Sequence, residues 1–336
     1  MTHGQPYARE LGSTGLAVSA LGLGLAALGR PGYINIGHGD DLGDERGVAA
    51  MEERAHAVLD EARRGGVRYF DAARSYGRAE AFLAGWLATR GIAPGDVVVG
   101  SKWGYTYTAQ WQVEAETHEV KEHSLPAFRR QWRESRETLG DRLDLYQVHS
   151  VTLESPALSD DRLLAALAAS KQDGVRVGLS TSGPGQADVI LRALEAHVDG
   201  VRLFDSVQAT WNLLERSAAP ALAAARAAGV GVIVKEALAN GRLTPRNDAA
   251  DFEARSARLQ EQADRLGTTV DALALAAAMA QPWADVVLSG ATTVDQLRSN
   301  LRAPEVVWDD EAEARLAPLV EPPAAYWERR SGLPWT

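Results

Sequence analysis

Short runs of Val, Ile and Leu recur eight times along this chain, and each is followed by a longer segment of helical composition. The runs lie at 19–24, 67–72, 97–101, 143–149, 175–181, 204–209, 230–234 and 286–290. Strands that are apolar along their whole length are typical of a parallel sheet covered by helices on both faces. Eight such units predict an α/β fold, a single (β/α)8 TIM barrel over 1–336, because an open doubly wound sheet in two halves would show a break in composition.

The segments between the runs have helical composition, and several of them end at a glycine, as helices commonly do. They predict helices at 48–64, 79–89, 125–139, 160–171, 186–196, 214–228, 252–280 and 294–301. The long loops 29–47 and 104–123 follow strands, so we expect them on the C-terminal face, where barrel enzymes have their active sites. Residues 303–336 predict an irregular C-terminal tail that packs near the barrel mouth.

Composition limits the classes of partner. Hydrophobic residues make up 46% and charged residues 24% of the chain, which is typical of a globular protein. A net charge of −10 argues against a nucleic acid or an anionic membrane as partner. The absence of cysteine excludes disulfides, thiolate nucleophiles and zinc held by cysteine. Because the sequence has no signal-like N-terminus and no run of about 18 apolar residues, we expect a cytoplasmic protein.

Two familiar motifs occur in incomplete form. Residues 22–27 match the glycine pattern of dinucleotide-binding folds, but Pro31 and its neighbouring glycines prevent the helix that this pattern must open. His118 and His123 are separated by one residue too many for a zinc-protease helix, where both imidazoles share a face. We therefore predict neither a Rossmann-type site nor a metal site.

Four polar residues lie at or just after the ends of three consecutive predicted strands. Asp71 ends the second strand, Lys102 follows the third and His149 ends the fourth, while Tyr76 lies in the loop after Asp71. Neighbouring strands of a barrel end side by side, so we expect these residues at one mouth. Asp71 and Lys102 are expected to form an ion pair, because a charge buried at a strand end needs a partner.

The combined chemistry of these side chains suits proton transfer to a carbonyl oxygen. A free tyrosine has a pKa of about 10, too high for efficient acid–base work near neutral pH, and the Lys102 ammonium is expected to lower the pKa of Tyr76. His149 is expected to hydrogen-bond the carbonyl. None of the four residues supplies a hydride, so a cofactor must.

The segments that carry these residues are similar to those of one enzyme family. The chain resembles an aldo-keto reductase along nearly its whole length, in residues 9–19, 69–77, 144–149, 177–180, 207–212, 238–244 and 290–300. The resemblance implies that Tyr76 is the general acid/base and that His149 orients the carbonyl. It also implies that Asp71 and Lys102 adjust the pKa of the tyrosine.

The resemblance further implies NADP(H) as cofactor, with NAD(H) as the less favoured choice and no metal. The implied cofactor-binding residues are Gly24, Ser180, Thr181, Gln208, Lys235, Glu236, Leu238, Arg246, Gly290, Thr292, Gln296 and Asn300. Lys235 departs from the family, which usually has an aromatic residue there, stacked beneath the nicotinamide. We expect its ammonium to disfavour the positively charged oxidised cofactor unless Glu236 neutralises it.

The predicted function is hydride transfer between NADP(H) and an aldehyde, ketone or sugar, or the corresponding alcohol. Trp103 is predicted to contact the substrate, and the other aromatic residues that could wall a pocket are Tyr105, Tyr107, Trp111, Tyr326, Trp327 and Trp335. The alternatives are an NAD-dependent sugar or pyridoxine-type dehydrogenase and a redox-sensing binding protein similar to channel β subunits. The sequence indicates no oligomeric state.

Overall fold

The structure is a computed structural model that describes residues 8–336. Eight parallel strands form a closed barrel in which each strand pairs with the next along the chain and the last pairs with the first. The strands are β1 (Leu21–Gly24), β2 (Tyr69–Asp71), β3 (Val98–Trp103), β4 (Leu145–Val151), β5 (Arg176–Thr181), β6 (Ser206–Thr210), β7 (Gly231–Lys235) and β8 (Val286–Ser289). Each overlaps one predicted apolar run, so the predicted barrel is confirmed.

Helices alternate with these strands and pack around the barrel. They are α1 (His38–Leu42), α2 (Val48–Arg64), α3 (Ala79–Thr89), α4 (Leu125–Leu139), α5 (Asp161–Ser170), α6 (Gln186–Leu194), α7 (Ala219–Ala227), α8 (Glu253–Arg265), α9 (Val270–Met279), α10 (Val294–Asn300), α11 (Asp310–Leu316) and α12 (Pro323–Ser331). None of the helices within residues 8–336 is long and apolar enough to cross a membrane.

Two sequence-based predictions of local structure are wrong. The single helix predicted at 252–280 is two helices, α8 and α9, because Gly267 adopts a φ of 64° between them and Thr269 caps the second. The tail from residue 303 is not irregular, since it contains α11 and α12. Its apolar positions, such as Leu316 and Tyr326, are buried and hold these helices against the barrel.

The inside of the barrel is a small apolar core of its own. Side chains from alternating strand positions fill it, among them Leu145, Ile233 and Val286, all fully buried. An antiparallel pair, Ala8–Glu10 with Ala17–Ser19, precedes β1, and Leu11 between its strands belongs to the same core. Filled in this way, the barrel is a rigid support for the residues at its other end.

Three segments contribute to the C-terminal mouth. The first is the loop after β1, which contains α1, and the second is the antiparallel pair Tyr105–Tyr107 with Glu119–Lys121. The third is the last turn of α12 with the residues that follow it. The loop and the residues after α12 are joined by backbone hydrogen bonds between Tyr33 and Thr336. Together with the segments that follow β7 and β8, they make the walls of the cavity described below.

Candidate active site

Asp71 and Lys102 form a buried ion pair at the ends of β2 and β3. Nζ of Lys102 donates to Oδ2 of Asp71 and, at 3.0 Å, to the carbonyl of Ala72. The Lys102 side chain is 0% exposed and that of Asp71 is 2% exposed. Two charges at this depth require each other, because either one alone would be an unpaired charge in a poorly solvated site.

The second oxygen of Asp71 is held by three donors that converge on it. Oδ1 accepts hydrogen bonds from the Tyr69 hydroxyl at 3.0 Å, from Nε2 of Gln147 at 3.1 Å and from Nε2 of Gln208 at 3.2 Å. These donors come from β2, β4 and β6, so the carboxylate is fixed from three strands. Tyr69 and Gln147 are positioning residues that the sequence analysis missed.

Tyr76 and His149 face each other above this ion pair. The phenolic oxygen of Tyr76 lies 3.3 Å from Nε2 of His149, and Nζ of Lys102 lies 4.8 Å from the centroid of the Tyr76 ring. All four residues predicted from the strand ends are therefore together. Burial lowers the pKa of His149 well below its usual value, and the Lys102 ammonium acts in the same direction. His149 is thus a neutral imidazole that can share a hydrogen bond with a carbonyl oxygen.

The pKa of Tyr76 differs from the expectation. Burial raises it above the ordinary value, and the charge of Asp71 adds to the increase, while the nearby Arg30 guanidinium opposes it. The prediction that Lys102 brings this pKa down is thus not met, because removal of the phenol from water and the charge of Asp71 together outweigh the opposing charge of Arg30. At neutral pH the hydroxyl keeps its proton, which is the form required to donate it.

A local irregularity in β4 aims His149 at the tyrosine. Ser150 adopts a φ of 56° and its backbone N–H donates to Oγ of Ser180 at 2.8 Å. Nε2 of His123 donates to the carbonyl of His149 at 2.7 Å, since a carbonyl can only accept. Nδ1 of His123 then accepts from the Ser155 hydroxyl at 2.6 Å. This buried set fixes both polar groups of the peptide that joins His149 to Ser150.

A cavity of about 670 Å³ runs from Tyr76 and His149 to Gln296 and Asn300, within the usual size range of ligand sites. The predicted cofactor residues that line it are Gly24, Gln208, Lys235, Glu236, Leu238, Arg246, Gly290, Gln296 and Asn300. At its far end the side-chain oxygen of Asn300 is buried without a partner, and Gly290 faces open space. An unsatisfied acceptor beside open space at the far end fits a polar, elongated ligand such as a dinucleotide.

Four of the residues predicted to bind the cofactor or the substrate do not line this cavity. Ser180, Thr181 and Thr292 are fully buried, and the first two hydroxyls are bonded within the protein. Trp103 is also fully buried and packs against Phe128 of α4. The prediction that Trp103 contacts the substrate is wrong, because successive side chains on a strand point to opposite sides. Lys102 points into the barrel mouth, so Trp103 points out towards the helices.

Lys235 lies in a cluster of charges rather than alone. Its Nζ donates to the Thr210 hydroxyl at 2.8 Å and lies 3.6 Å from Oε1 of Glu236. The same carboxylate oxygen accepts from the Arg330 guanidinium at 2.7 Å. Although burial opposes ionisation, these two cations lower the pKa of Glu236 to about 2. Glu236 therefore stays ionised and offsets part of the charge beside it.

The sequence analysis missed several side chains of the cavity wall. Arg30, from the loop after β1, donates to Oε2 of Glu119 at 3.0 Å, and its guanidinium carbon lies 5.2 Å from the centroid of the Tyr76 ring. Arg330 comes from the last turn of α12. These residues lie in segments without periodicity, so no local pattern indicated that they reach the site.

Comparison with known proteins agrees with this geometry. The chain is 28% identical to an uncharacterized oxidoreductase, YrpG, of Bacillus subtilis, over 94% of this chain and 98% of the relative. It is 28% identical to an L-galactose dehydrogenase of Arabidopsis thaliana, over 94% of each chain. A solved aldo-keto reductase of Bacillus halodurans, in its holo form, superimposes with a TM-score of 0.73 at 24% identity and covers 96% of this chain and 99% of its own. The model of the aldo/keto reductase family matches residues 21–321, and the chain belongs to that family.

Proposed function

We propose that this protein transfers a hydride between NADP(H) and a carbonyl or alcohol substrate, with Tyr76 as the general acid/base. The observation that carries the proposal is the pair of Tyr76 and His149, 3.3 Å apart, at the inner end of an elongated cavity. A carbonyl oxygen placed between them would meet one proton donor and one neutral imidazole. This is the arrangement that reduction of a carbonyl requires.

When bound, the nicotinamide supplies the hydride that the carbonyl carbon accepts. Tyr76 supplies the proton that the carbonyl oxygen accepts, so that one hydride and one proton convert the carbonyl to an alcohol. The resulting tyrosinate faces two cations, the ammonium of Lys102 and the guanidinium of Arg30. Asp71 holds Lys102 in place, and His149 orients the oxygen. In the oxidative direction Tyr76 takes the proton back.

The residues that would hold the cofactor lie along the cavity. Gln208 and Lys235 are near the catalytic pair, whereas Arg246, Gln296 and Asn300 line the far end. NADP(H) is the cofactor that the family resemblance favours, and NAD(H) is the alternative. Arg246 supports NADP(H), because a guanidinium is a good partner for the 2′-phosphate that only NADP(H) carries.

The substrate is proposed to be an aldehyde, a ketone or a sugar. Tyr33, Tyr105 and Trp335 wall the inner part of the cavity, together with the charged pair of Arg30 and Glu119. Aromatic faces beside groups that donate and accept hydrogen bonds suit a ligand with several hydroxyls. The similarity to an L-galactose dehydrogenase supports the second candidate function, an NAD-dependent sugar dehydrogenase.

The experiment is a panel of aldehydes, ketones and sugars, with the corresponding alcohols, assayed with each of the four nicotinamide dinucleotides. The proposal expects repeated turnover of at least one free carbonyl compound and its loss in Tyr76→Phe. Oxidation of sugars alone, with NAD⁺, would favour the second candidate. Binding of cofactor with at most a single turnover on every compound would favour a redox-sensing binding protein and overturn the proposal.

A further inference from the structure

Asp41 lies beside the far end of the cavity and binds two of the residues predicted to hold the cofactor. Its carboxylate accepts a hydrogen bond from the Arg246 guanidinium and another from Nε2 of Gln296 at 2.8 Å. We infer that Asp41 is a specificity-determining residue that weakens binding of NADP(H) relative to NAD(H). The inference rests on the proposed function, because it assumes that a nicotinamide dinucleotide occupies the cavity.

The direction of the cofactor follows from the reaction. The nicotinamide must reach Tyr76, so the adenosine half of a bound dinucleotide extends away from Tyr76 along the cavity. The far end is lined by Arg246, Asp271, Gln296 and Asn300. The two cofactors differ only at the adenosine ribose, where NADP(H) carries a 2′-phosphate and NAD(H) a hydroxyl. Side chains at this end therefore decide between them.

Arg246 is the cation that a 2′-phosphate would seek, and it is already engaged. One of its terminal nitrogens donates to Asp41, and the other donates to the carbonyl of Gly37 at 2.8 Å. A phosphate must either displace the carboxylate or lie beside it. The first course breaks an ion pair, and the second brings two anions together. A ribose hydroxyl meets neither difficulty, because it can donate to the carboxylate.

Asp41 is held in place and is not free to swing aside. Its side chain is 2% exposed, although α1 lies at the surface. Its backbone carbonyl accepts from the Arg54 guanidinium at 2.8 Å, and the next residue, Leu42, is buried. Gly37 adopts a φ of 77° at the start of α1, and a Cβ there would lie 2.5 Å from the Arg246 guanidinium. The close fit of helix and arginine keeps the carboxylate where it is.

The other charges at this end add to the effect of Asp41. Asp271 and Asp295 line the cavity there. Arg298 is near Asp295 but is also bound to Glu61, so its charge is shared between two carboxylates. Arg246 is a cation that lines this end of the cavity, and Asp41 offsets its charge. A dianionic 2′-phosphate would enter a region where carboxylates outnumber the available cations.

The test is the Asp41→Asn variant, in which the side chain keeps an oxygen acceptor and loses its charge. Dissociation constants for NADPH and NADH are measured by fluorescence titration without substrate, and those for 2′,5′-ADP and 5′-ADP by calorimetry. We expect binding of NADPH to strengthen about fivefold or more relative to that of NADH, since one repulsive charge is removed. Binding of 2′,5′-ADP should likewise strengthen relative to that of 5′-ADP.

Asp40→Asn is the matched control. Asp40 is the preceding residue of α1 and is exposed, and its substitution changes the net charge by the same amount. The ratio of NADPH affinity to NADH affinity should not change in this variant. The double variant Asp41→Asn/Arg246→Ala should lose the gain, because the freed guanidinium is what the phosphate binds. An unchanged ratio of NADPH affinity to NADH affinity in Asp41→Asn would overturn this inference and leave the proposed function standing. Failure of both dinucleotides to bind the unsubstituted protein would overturn the proposed function, and this inference with it.

Discussion

The phenolic oxygen of Tyr76 lies 3.3 Å from Nε2 of His149, and the two rings meet edge to face. One residue follows β2 and the other belongs to β4, so the barrel itself brings them together. Burial keeps the proton on the tyrosine and keeps the histidine neutral. The pair can therefore contact a carbonyl oxygen from two sides without placing a fixed charge on either ring.

Tyr76→Phe should lower kcat by about 10²–10⁴-fold, the usual contribution of a general acid. Its affinity for the cofactor should change little, because the ring remains. Steady-state kinetics with a carbonyl substrate and a fluorescence titration of the cofactor measure the two effects. Tyr107→Phe is the control, since it removes a phenol hydroxyl that contacts Trp111 outside the cavity. A loss of less than tenfold in Tyr76→Phe would contradict its role as proton donor.

Much of this site could be predicted because it depends on local rules. A strand that is apolar along its length and ends in a polar residue places that residue at the barrel mouth, and so Asp71, Lys102 and His149 were found. Successive side chains of a strand point to opposite sides, and Trp103 directly follows Lys102. Trp103 must therefore point away from the barrel mouth, which is why its prediction as a substrate contact is wrong. The apolar pattern of α8 and α9 hid the break at Gly267.

The remaining site residues depend on contacts between distant segments. Arg30 reaches Glu119, which is 89 residues away, and Arg330 reaches Glu236, which is 94 residues away. Asp41 meets Gln296 across 255 residues. Nothing in the local sequence marks such partners, because they are set by how the loops pack over the closed barrel.

Removing the buried cation should affect stability as well as catalysis. Lys102→Met leaves the Asp71 carboxylate buried without a counter-ion, and the free energy of unfolding should fall by about 3–5 kcal/mol. The double variant Lys102→Met/Asp71→Asn should be more stable than the single one, because no unpaired charge is left. Urea unfolding measures the free energy of unfolding of each variant. The single variant Asp71→Asn is measured as well. If the fall in the free energy of unfolding of the double variant equalled the sum of the falls in the two single variants, loss of the ion pair would not be the cause.

Lys235→Met should tighten binding of the oxidised cofactor more than that of the reduced cofactor, because only the oxidised nicotinamide is positively charged. Unit charges about 6 Å apart interact by about 3 kcal/mol at an effective dielectric of about 20. Glu236, 3.6 Å from the ammonium, offsets much of this. An effect of about threefold on the affinity ratio is therefore expected. Fluorescence titration of both redox forms tests it, and an unchanged ratio would show that Glu236 neutralises Lys235 fully.

Stability should decrease in mild acid. Burial lowers the pKa of His123 and of His38 to about 4, from 6.5. Between these values the unfolded chain binds protons that these two histidines do not bind in the folded chain, so their contribution to the free energy of unfolding falls as the pH drops from 6.5 towards 4 and is level above that range. Asp144, whose pKa burial raises to about 6, contributes in the opposite direction and offsets one histidine. Thermal unfolding across pH 7 to about 4.5 measures the slope.

His123→Gln should flatten that slope, because glutamine can donate to the carbonyl of His149 and accept from Ser155 without titrating in this range. His197→Gln replaces an exposed histidine and should leave the slope unchanged. Equal slopes in all three proteins would show that His123 does not contribute to the acid sensitivity.

The central claim is that the residues around Tyr76 direct a hydride from a nicotinamide to a carbonyl carbon. The most direct measurement is a reaction with a reduced cofactor deuterated at C4 of the nicotinamide, followed by mass spectrometry and NMR of the alcohol. The account predicts one deuterium on the former carbonyl carbon for each cofactor oxidised, and almost none formed by Tyr76→Phe in the same time. Alcohol without deuterium from either deuterated epimer of the cofactor, or equal deuterated product from the variant, would contradict it.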